Sequence, residues 1–221
     1  TTISDIPASS GLGSSSSFAV GLINAILALL KIHKTKYQIA SLASKIEIDI
    51  LKRNIGKQDH FAATYGNLNI FKFYPNEKVE IIPVYYGNKT RELIENNILL
   101  FWTKISRNAS EVLSSVDTSL IENKKNLEKM RDLVDPLNDV FSEKSEINQF
   151  GVILDKAWRL KKSLSSKISI SEIDKIYDKA INYGAIGGKI LGAGGGGFLL
   201  LYVEQDKQKQ VIKALHDLPH F

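Results

Sequence analysis

The stretch Ile6-Pro7-Ala8-Ser9-Ser10-Gly11-Leu12-Gly13-Ser14-Ser15-Ser16-Ser17-Phe18 constrains this chain more than any other. A loop of glycine and serine runs straight into an apolar helical pattern, Ala19 to Leu30. Gly11 and Gly13 carry no Cβ, so the backbone there can bend and come close to another group. The serines put hydroxyls and backbone N–H groups where the helix begins. A helix start holds unpaired N–H donors and the positive end of the macrodipole, which suits a phosphate. The common phosphate loop needs a lysine and then Ser or Thr after its second glycine, whereas only serines follow Gly13. Gly-Leu-Gly by itself fits an ordinary Ser-capped helix equally well. The four consecutive serines, the upstream Pro7 and the immediate helix favour phosphate.

Residues 1–7 read as the end of a strand or a loop closed by Pro7. Residues 14–31 read as a helix with apolar residues nearly all round, from Phe18 and Val20 through Ile23, Ile26, Leu27 and Leu30, which predicts a central, buried element. A second helix is expected over 35–52, capped by Thr35, with Ile39, Ala43, Ile46 and Ile50 at helical spacing. Glu47 shares that inward face. A buried carboxylate needs a partner, so Glu47 is either half of a buried ion pair or a metal ligand. Asp59 starts a short helical run after Gly56-Lys57-Gln58 and could face the same site. One carboxylate could then hold a divalent ion while the other takes a proton. The plainer reading of Asp59 is a helix cap.

Residues 68–74 and 78–84 alternate about Pro75-Asn76-Glu77 and predict a hairpin. Gly87-Asn88-Lys89-Thr90 reads as a turn and a domain boundary, and 98–104 as a buried strand. Helices are expected over 107–130, 132–142, 145–164, 171–183 (capped by Ser171) and 206–217. Arg159, Lys161 and Lys162 beside Trp158 could meet an anionic substrate group or form only a solvated face. Between Gly184 and Gly197, eight of fourteen residues are glycine, followed by the strand Phe198 to Val203. That setting argues for a structured loop close to a ligand or another backbone. Leu218-Pro219-His220-Phe221 trails off as though a strand should follow.

At 221 residues the chain can bury a core as one domain or two. Having no cysteine excludes disulfides and thiolate metal sites and fits a reducing, cytoplasmic compartment. The net charge of +5 is spread among acidic residues, against a nucleic-acid face. Residues 1–5 are polar without a basic start, so no leader peptide is read there. The apolar run near Phe18 to Leu30 holds Asn24 and is too short to cross a membrane. A homodimer is compatible with the sequence. The first residue is Thr, and the chain is read as a piece of a longer protein.

Three motifs stand in order: Pro-x-x-x-Gly-Leu-Gly-Ser-Ser at 7–15, Glu47 with Gly56-Lys57-Gln58-Asp59, and Lys189-Ile-Leu-Gly-Ala-Gly-Gly-Gly-Gly at 189–197. Together they resemble the GHMP kinase superfamily over nearly the whole chain. Gly-Leu-Gly-Ser-Ser-Ser-Ser-Phe, Ser106-Arg107-Asn108-Ala109, Trp158-Arg159-Leu160-Lys161-Lys162 and Gly187-Gly188-Lys189 resemble its sugar 1-kinase branch, the bacterial heptose 7-phosphate kinases above all. Fucokinase-like proteins share much of this pattern. The resemblance implies an α+β protein of two lobes. Residues 1–90 would hold the ATP-binding part and 91–221 a ferredoxin-like sheet with added helices, with the sites between them. It implies ATP and Mg²⁺, with a small-molecule sugar phosphate as acceptor. Gly11, Leu12, Gly13, Ser14, Ser15, Ser16 and Ser17 would wrap the triphosphate, with Gly194 and Gly195 near it. Ser15 and Glu47 match Mg²⁺ ligands and Asp59 the catalytic base. Lys57, Arg159, Lys161, Lys162, Gly192 and Gly194 are the candidate substrate contacts. Ser16 stands where many members have Ala. The family's first motif would lie upstream of Thr1 and its last strand after Phe221.

Overall fold

A computed structural model describes residues 10–106, 109–117 and 120–221. The expected strand end or loop over 1–7, with Pro7, and Arg107-Asn108 of the resemblance lie outside these. The chain resolves into two compact units. Gly13–Val84 form one, and Tyr85–Phe221, joined by residues 10–12, form the other.

The first unit contains α1 (Ser14–Leu29), α2 (Lys36–Lys45), α3 (Gln58–Tyr65) and the strands β1 (Asn69–Phe73) and β2 (Val79–Pro83). Thr35 caps α2 as expected, its hydroxyl accepting from the Gln38 N–H at 3.2 Å while Gln38 Oε1 accepts from the Thr35 N–H at 3.0 Å. Such a box satisfies two of the donors that every helix start leaves open. Val20 and Ile23 of α1 pack on Ile39 and Ala43 of α2. The expectation of a wholly buried α1 is corrected. Phe18, Leu22, Ile26, Leu29 and Leu30 are exposed, because among the described residues α2 and α3 cover only one side of the helix. The β1–β2 hairpin forms as predicted, antiparallel, with Phe71 opposite Ile81. Phe61 of α3 anchors it to the helices through edge contacts with Tyr37, Phe71 and Phe73.

The expected helix over 35–52 does not continue as one. After Lys45 it widens into a π turn, Ile46–Ile50, closed by Leu51 N–H on the Ile46 carbonyl at 2.9 Å. The extra residue changes the phase of the faces. Glu47 is buried, while Ile50, expected inward, is exposed. Single π turns of this kind recur at functional sites.

In the second unit, α4 (Asn88–Asn96) replaces the expected turn at 87–90, with Gly87 as its N-terminal boundary. Then follow β3 (Ile98–Trp102), α5 (Ala109–Asp117), α6 (Leu120–Arg131), α7 (Val134–Phe141), α8 (Gln149–Lys162), α9 (Ser171–Asn182), β4 (Gly187–Ile190), β5 (Phe198–Tyr202) and α10 (Gln205–Ala214). Ile170 rather than Ser171 stands at the cap of α9, which has no side-chain cap bond. The three strands run β3-β5-β4, all antiparallel. Pro219–Phe221 pair with the free side of β3, through Trp102 N–H on the Pro219 carbonyl at 2.8 Å and Phe221 N–H on the Leu100 carbonyl at 2.9 Å. With that segment the order is 4-1-3-2, that of a ferredoxin-like sheet, and pairing that was expected after Phe221 is already present before it. Phe101, Leu199, Leu201 and Ile190 supply the buried face of the sheet against Trp158, Ile173 and Tyr177. Among the described residues, no helix is long and apolar enough to cross a membrane.

β4 was not foreseen inside the glycine-rich stretch. Its glycines are there for packing: a Cβ on Gly187 would strike the Gly151 carbonyl of α8 and come within 2.9 Å of the Asp155 Cβ. Gly151 in turn sits against Ile186 and Tyr202. Gly187→Ala should therefore force α8 off the sheet and lower stability by about 1–3 kcal/mol, measured by urea unfolding with the amplitude of the folded-state signal retained.

Candidate active site

The second unit holds Gly11, Gly192, Gly194 and Gly195 of the sequence-derived candidates. Gly11 has φ +81°, a left-handed conformation that other residues rarely adopt, and a Cβ on it would run into the Leu191 carbonyl. A Cβ on Gly192 would lie 2.7 Å from the Gly11 Cα. The two loops thus meet backbone on backbone. Phe198 N–H donates to the Ser10 carbonyl at 3.2 Å and extends this seam into β5. Beyond it, Gly195 N–H donates to the Ile168 carbonyl at 2.7 Å and Gly197 N–H to the Ile105 carbonyl at 2.8 Å. The glycines at 194–197 are needed for these close approaches, and the Gly195 N–H is already engaged. Lys161 Nζ donates to the Gly192 carbonyl.

In the first unit, the helix α1 starts from Gly13 with φ +69° and no side-chain cap. Ser17 N–H takes the Gly13 carbonyl at 2.9 Å. The Ser14 hydroxyl is buried with no hydrogen-bond partner among the described residues. A buried, unpartnered hydroxyl beside an uncapped helix start is a place for an anion, since both observations mark donors awaiting an acceptor.

Glu47 is the centre of the charge arrangement. It is only 3% exposed, and each carboxylate oxygen has its own partners. Oε1 accepts from the Ser15 hydroxyl and from Arg53 Nη1 at 2.5 Å. Oε2 accepts from His60 Nε2–H at 2.7 Å, with the Ser16 hydroxyl at 3.4 Å. Burial alone would raise the Glu47 pKa, but the Ser15 bond, the His60 bond and the Arg53 charge outweigh it and hold the carboxyl below its ordinary value of 4.5. His60 is fully buried, and its Nδ1 finds no partner among the described residues.

Asp59 sits in the first turn of α3, next to His60 but turned the other way. Its carboxyl group lies 3.5 Å from where a Cβ would project from Gly13. It is exposed and makes no ion pair among the described residues. The fold therefore brings Gly13, Ser14, Ser15, Ser16, Glu47 and Asp59 to one place. Lys57 is not aimed there; it pairs with Glu77 of the hairpin turn at the rim of a shallow pocket of about 380 Å³ lined also by Tyr74 and Lys78. Nor do Arg159, Lys161 and Lys162 of α8 act together. Arg159 pairs with Asp155 at 2.7 Å, and Lys162 with Asp174 at 2.8 Å over the rings of Trp158 and Tyr177. Only Lys161 turns to the glycine-rich loop. Lys161 is two positions from Arg159 and one from Lys162, so it faces away from both, while Arg159 and Lys162, three apart, are drawn to different carboxylates.

Two residues escaped the sequence reading. His60 directly follows Asp59 and lies almost the same distance from Glu47, which was a usable signal. Arg53 had none, because its position depends on the left-handed Lys52 (φ +53°) that turns the chain back onto Glu47.

Residues 1–67 match the GHMP kinases N terminal domain and residues 140–219 the GHMP kinases C terminal domain. The chain belongs to the GHMP kinases. D-glycero-alpha-D-manno-heptose 7-phosphate kinase of Campylobacter jejuni is 37% identical over 97% of this chain and 63% of its own length. A mevalonate kinase of Thermococcus onnurineus is 28% identical over 96% of this chain and 61% of its own. Among solved structures, a D-glycero-D-manno-heptose 1-phosphate kinase from Bacteriodes thetaiotaomicron superposes with a TM-score of 0.69 at 28% identity, covering 100% of this chain and 62% of that one. The chain thus spans about three-fifths of the length of the relatives it matches. GHMP kinases use ATP as phosphate donor, and the uncapped α1 start with its free Ser14 hydroxyl is suited to that triphosphate.

Glu47 has a depressed pKa in the folded state, so its stabilising contribution is complete above its unfolded value near 4.5 and is lost as pH falls through the lower folded value. Glu47→Gln should be less stable than the parent at neutral pH by about 1–3 kcal/mol. It should also lose less further stability than the parent between about pH 5 and pH 3. Urea unfolding at each pH reads both effects.

Proposed function

We propose that the chain is the working part of an ATP-dependent sugar-phosphate kinase acting at an anomeric hydroxyl, with D-glycero-D-manno-heptose 7-phosphate as acceptor and the 1,7-bisphosphate as product. The observation that carries the reaction type is the pair of carboxylates around one loop, Asp59 against Gly13 and Glu47 on Ser15. The acceptor rests on the 37% identity to the heptose 7-phosphate kinase. Gly13–Val84 would serve as the ATP-binding part and Tyr85–Phe221 as the C-terminal part. Such a kinase would work in the cytoplasm, where ATP is available, and its lack of cysteine agrees with that setting.

The roles follow from chemistry. A sugar hydroxyl is a weak nucleophile until a base accepts its proton, and Asp59 is a solvent-facing carboxylate at the loop. The N–H groups at the start of α1, with the Ser14 and Ser16 hydroxyls, supply donors to the phosphates, so negative charge developing on the transferred group meets fixed positive dipoles. Ser15 Oγ and Glu47 Oε1 would hold Mg²⁺. Both are hard oxygen ligands, and one cationic nitrogen already touches both, so the residues fit such an ion. When bound, Mg²⁺ supplies charge neutralisation at the phosphate oxygens. Gly11, Gly192, Gly194 and Gly195 allow the close backbone packing of the glycine-rich loop within the second unit. Lys161 is the cation of α8 assigned to the substrate phosphate, because its Nζ lies on the Gly192 carbonyl of the glycine-rich loop, whereas Arg159 and Lys162 turn to Asp155 and Asp174.

ATP consumption by the full-length protein with Mg²⁺ should be high with heptose 7-phosphate and low with mannose, fucose or mevalonate. Turnover only with mevalonate or a neutral sugar would keep the kinase and discard the acceptor. Silence with ATP still bound would favour a non-catalytic paralogue. Asp59→Asn should retain ATP affinity and lose kcat by roughly 10²–10⁴-fold; near-parental turnover would remove Asp59 as the base. Lys161→Ala should raise KM for a sugar phosphate about tenfold, the worth of one charge-assisted hydrogen bond, with kcat little changed. An equal change for a neutral sugar would overturn the phosphate-contact role.

A further inference from the structure

Arg53 reaches the two oxygens of Ser15 and Glu47 from a segment with no motif of its own. Its Nη1 lies 2.6 Å from Ser15 Oγ and 2.5 Å from Glu47 Oε1. These are the two oxygens assigned above to the divalent ion. The other half of the Glu47 carboxylate is built differently: Oε2 is held by His60, which is completely buried. The Arg53 side chain is 50% exposed and has solvent to move into. The backbone supports this geometry locally, since Arg53 N–H donates to the Glu47 carbonyl at 3.0 Å and keeps the two residues together even when the side chain leaves. One oxygen therefore has a permanent partner and the other an exchangeable one.

We propose that Arg53 is a displaceable internal cation: its guanidinium neutralises the Ser15–Glu47 pair when no divalent ion is present, and a divalent ion binds by exchanging with it. A buried carboxylate without a counter-ion is costly, so the site has to be filled in either state. His60 and the Ser16 hydroxyl hold the carboxylate in position through the exchange. A consequence is weak metal binding in the absence of nucleotide, because the ion must first compete with an attached charge. A nucleotide triphosphate shifts the balance twice, by adding oxygen ligands for the ion and by offering the released guanidinium an anionic partner. This rests on the reading of Ser15 and Glu47 as the ion's ligands.

The test is Mn²⁺ binding by the full-length protein without nucleotide, read from the electron paramagnetic resonance signal of free Mn²⁺, together with thermal unfolding in chelator and in saturating Mn²⁺. Arg53→Met should bind Mn²⁺ roughly tenfold more tightly than the parent, the equivalent of removing one charge-assisted hydrogen bond. It should melt lower than the parent in chelator, and Mn²⁺ should narrow that gap. Arg53→Gln, which keeps a polar end, should show the same tightening if the Met variant folds poorly. Arg53→Lys should stay near the parent. Lys45→Met removes a neighbouring exposed charge that makes no ion pair with Glu47 and takes no part in the turn that places Arg53, and it should leave Mn²⁺ affinity almost unchanged. Equal tightening in Lys45→Met would mean a general field effect and overturn the exchange. Glu47→Gln separates the two readings. If it loses Mn²⁺ while Arg53→Met and Arg53→Gln gain none, the ion site stands and the exchange alone is wrong. If Glu47→Gln binds Mn²⁺ as the parent does, the ion site is wrong and the exchange falls with it.

Discussion

A carboxylate removed from water must be answered on both oxygens, and Glu47 is answered from four directions. Ser15 and Ser16 come from the start of α1, His60 from α3, and Arg53 from the chain just past the π turn. Losing any of these leaves part of a charge buried without compensation, so the requirement ties the serine loop, the π turn and α3 together more firmly than their modest apolar contacts would. The π turn itself belongs to this requirement. A continuous α-helix keeps Glu47 and Ile50 on one face, whereas the widened turn buries the carboxylate and lets Ile50 out.

The second unit uses absence of side chains where the first uses charge. Gly11 meets Gly192, Gly187 meets Gly151, and the run from 194 to 197 lies on the backbone at Ile168 and Ile105. Each approach would be blocked by one methyl group. The same feature accounts for the seam between the start of the serine loop and β5, and for the seating of α8 on β4. From α8, Lys161 reaches the Gly192 carbonyl. A basic side chain is thus attached to the loop that the glycines hold.

Much of this could be read in advance, for identifiable reasons. The Thr35 cap, the hairpin about Pro75-Asn76-Glu77 and the strand at 98–104 are local: neighbours in sequence satisfy one another, and their residue types show it. The serine loop, Glu47 and Asp59 were visible because a phosphate-handling site needs glycine, hydroxyls and carboxylates in a recognisable order. The inward facing of Glu47 held, but the facing inferred for α1 and α8 misled. Apolar residues all round α1 implied burial, but Phe18 and Leu22 are exposed. Three cations on one turn of α8 implied one cluster, but Asp155 and Asp174 draw two of them away. The glycine-rich stretch read as a loop throughout, though four of its residues form β4, since a strand made of Gly-Gly-Lys-Ile has little of the usual strand composition.

The sequence by itself determined the family, the element types over most of the chain, and the inventory of glycines, hydroxyls and carboxylates proposed to handle phosphate, because helix caps, turn residues and glycine-serine loops act over a few neighbouring positions. Only the tertiary structure decided which groups meet. It set His60 and Arg53 on opposite oxygens of Glu47, Asp59 against Gly13, and Gly11 against Gly192. The reason is that a charge or a bare backbone atom is specified by what approaches it in space. Those approaches depend on a π turn, a left-handed Lys52 and a helix resting on glycine, none of which leaves a periodic trace along the chain.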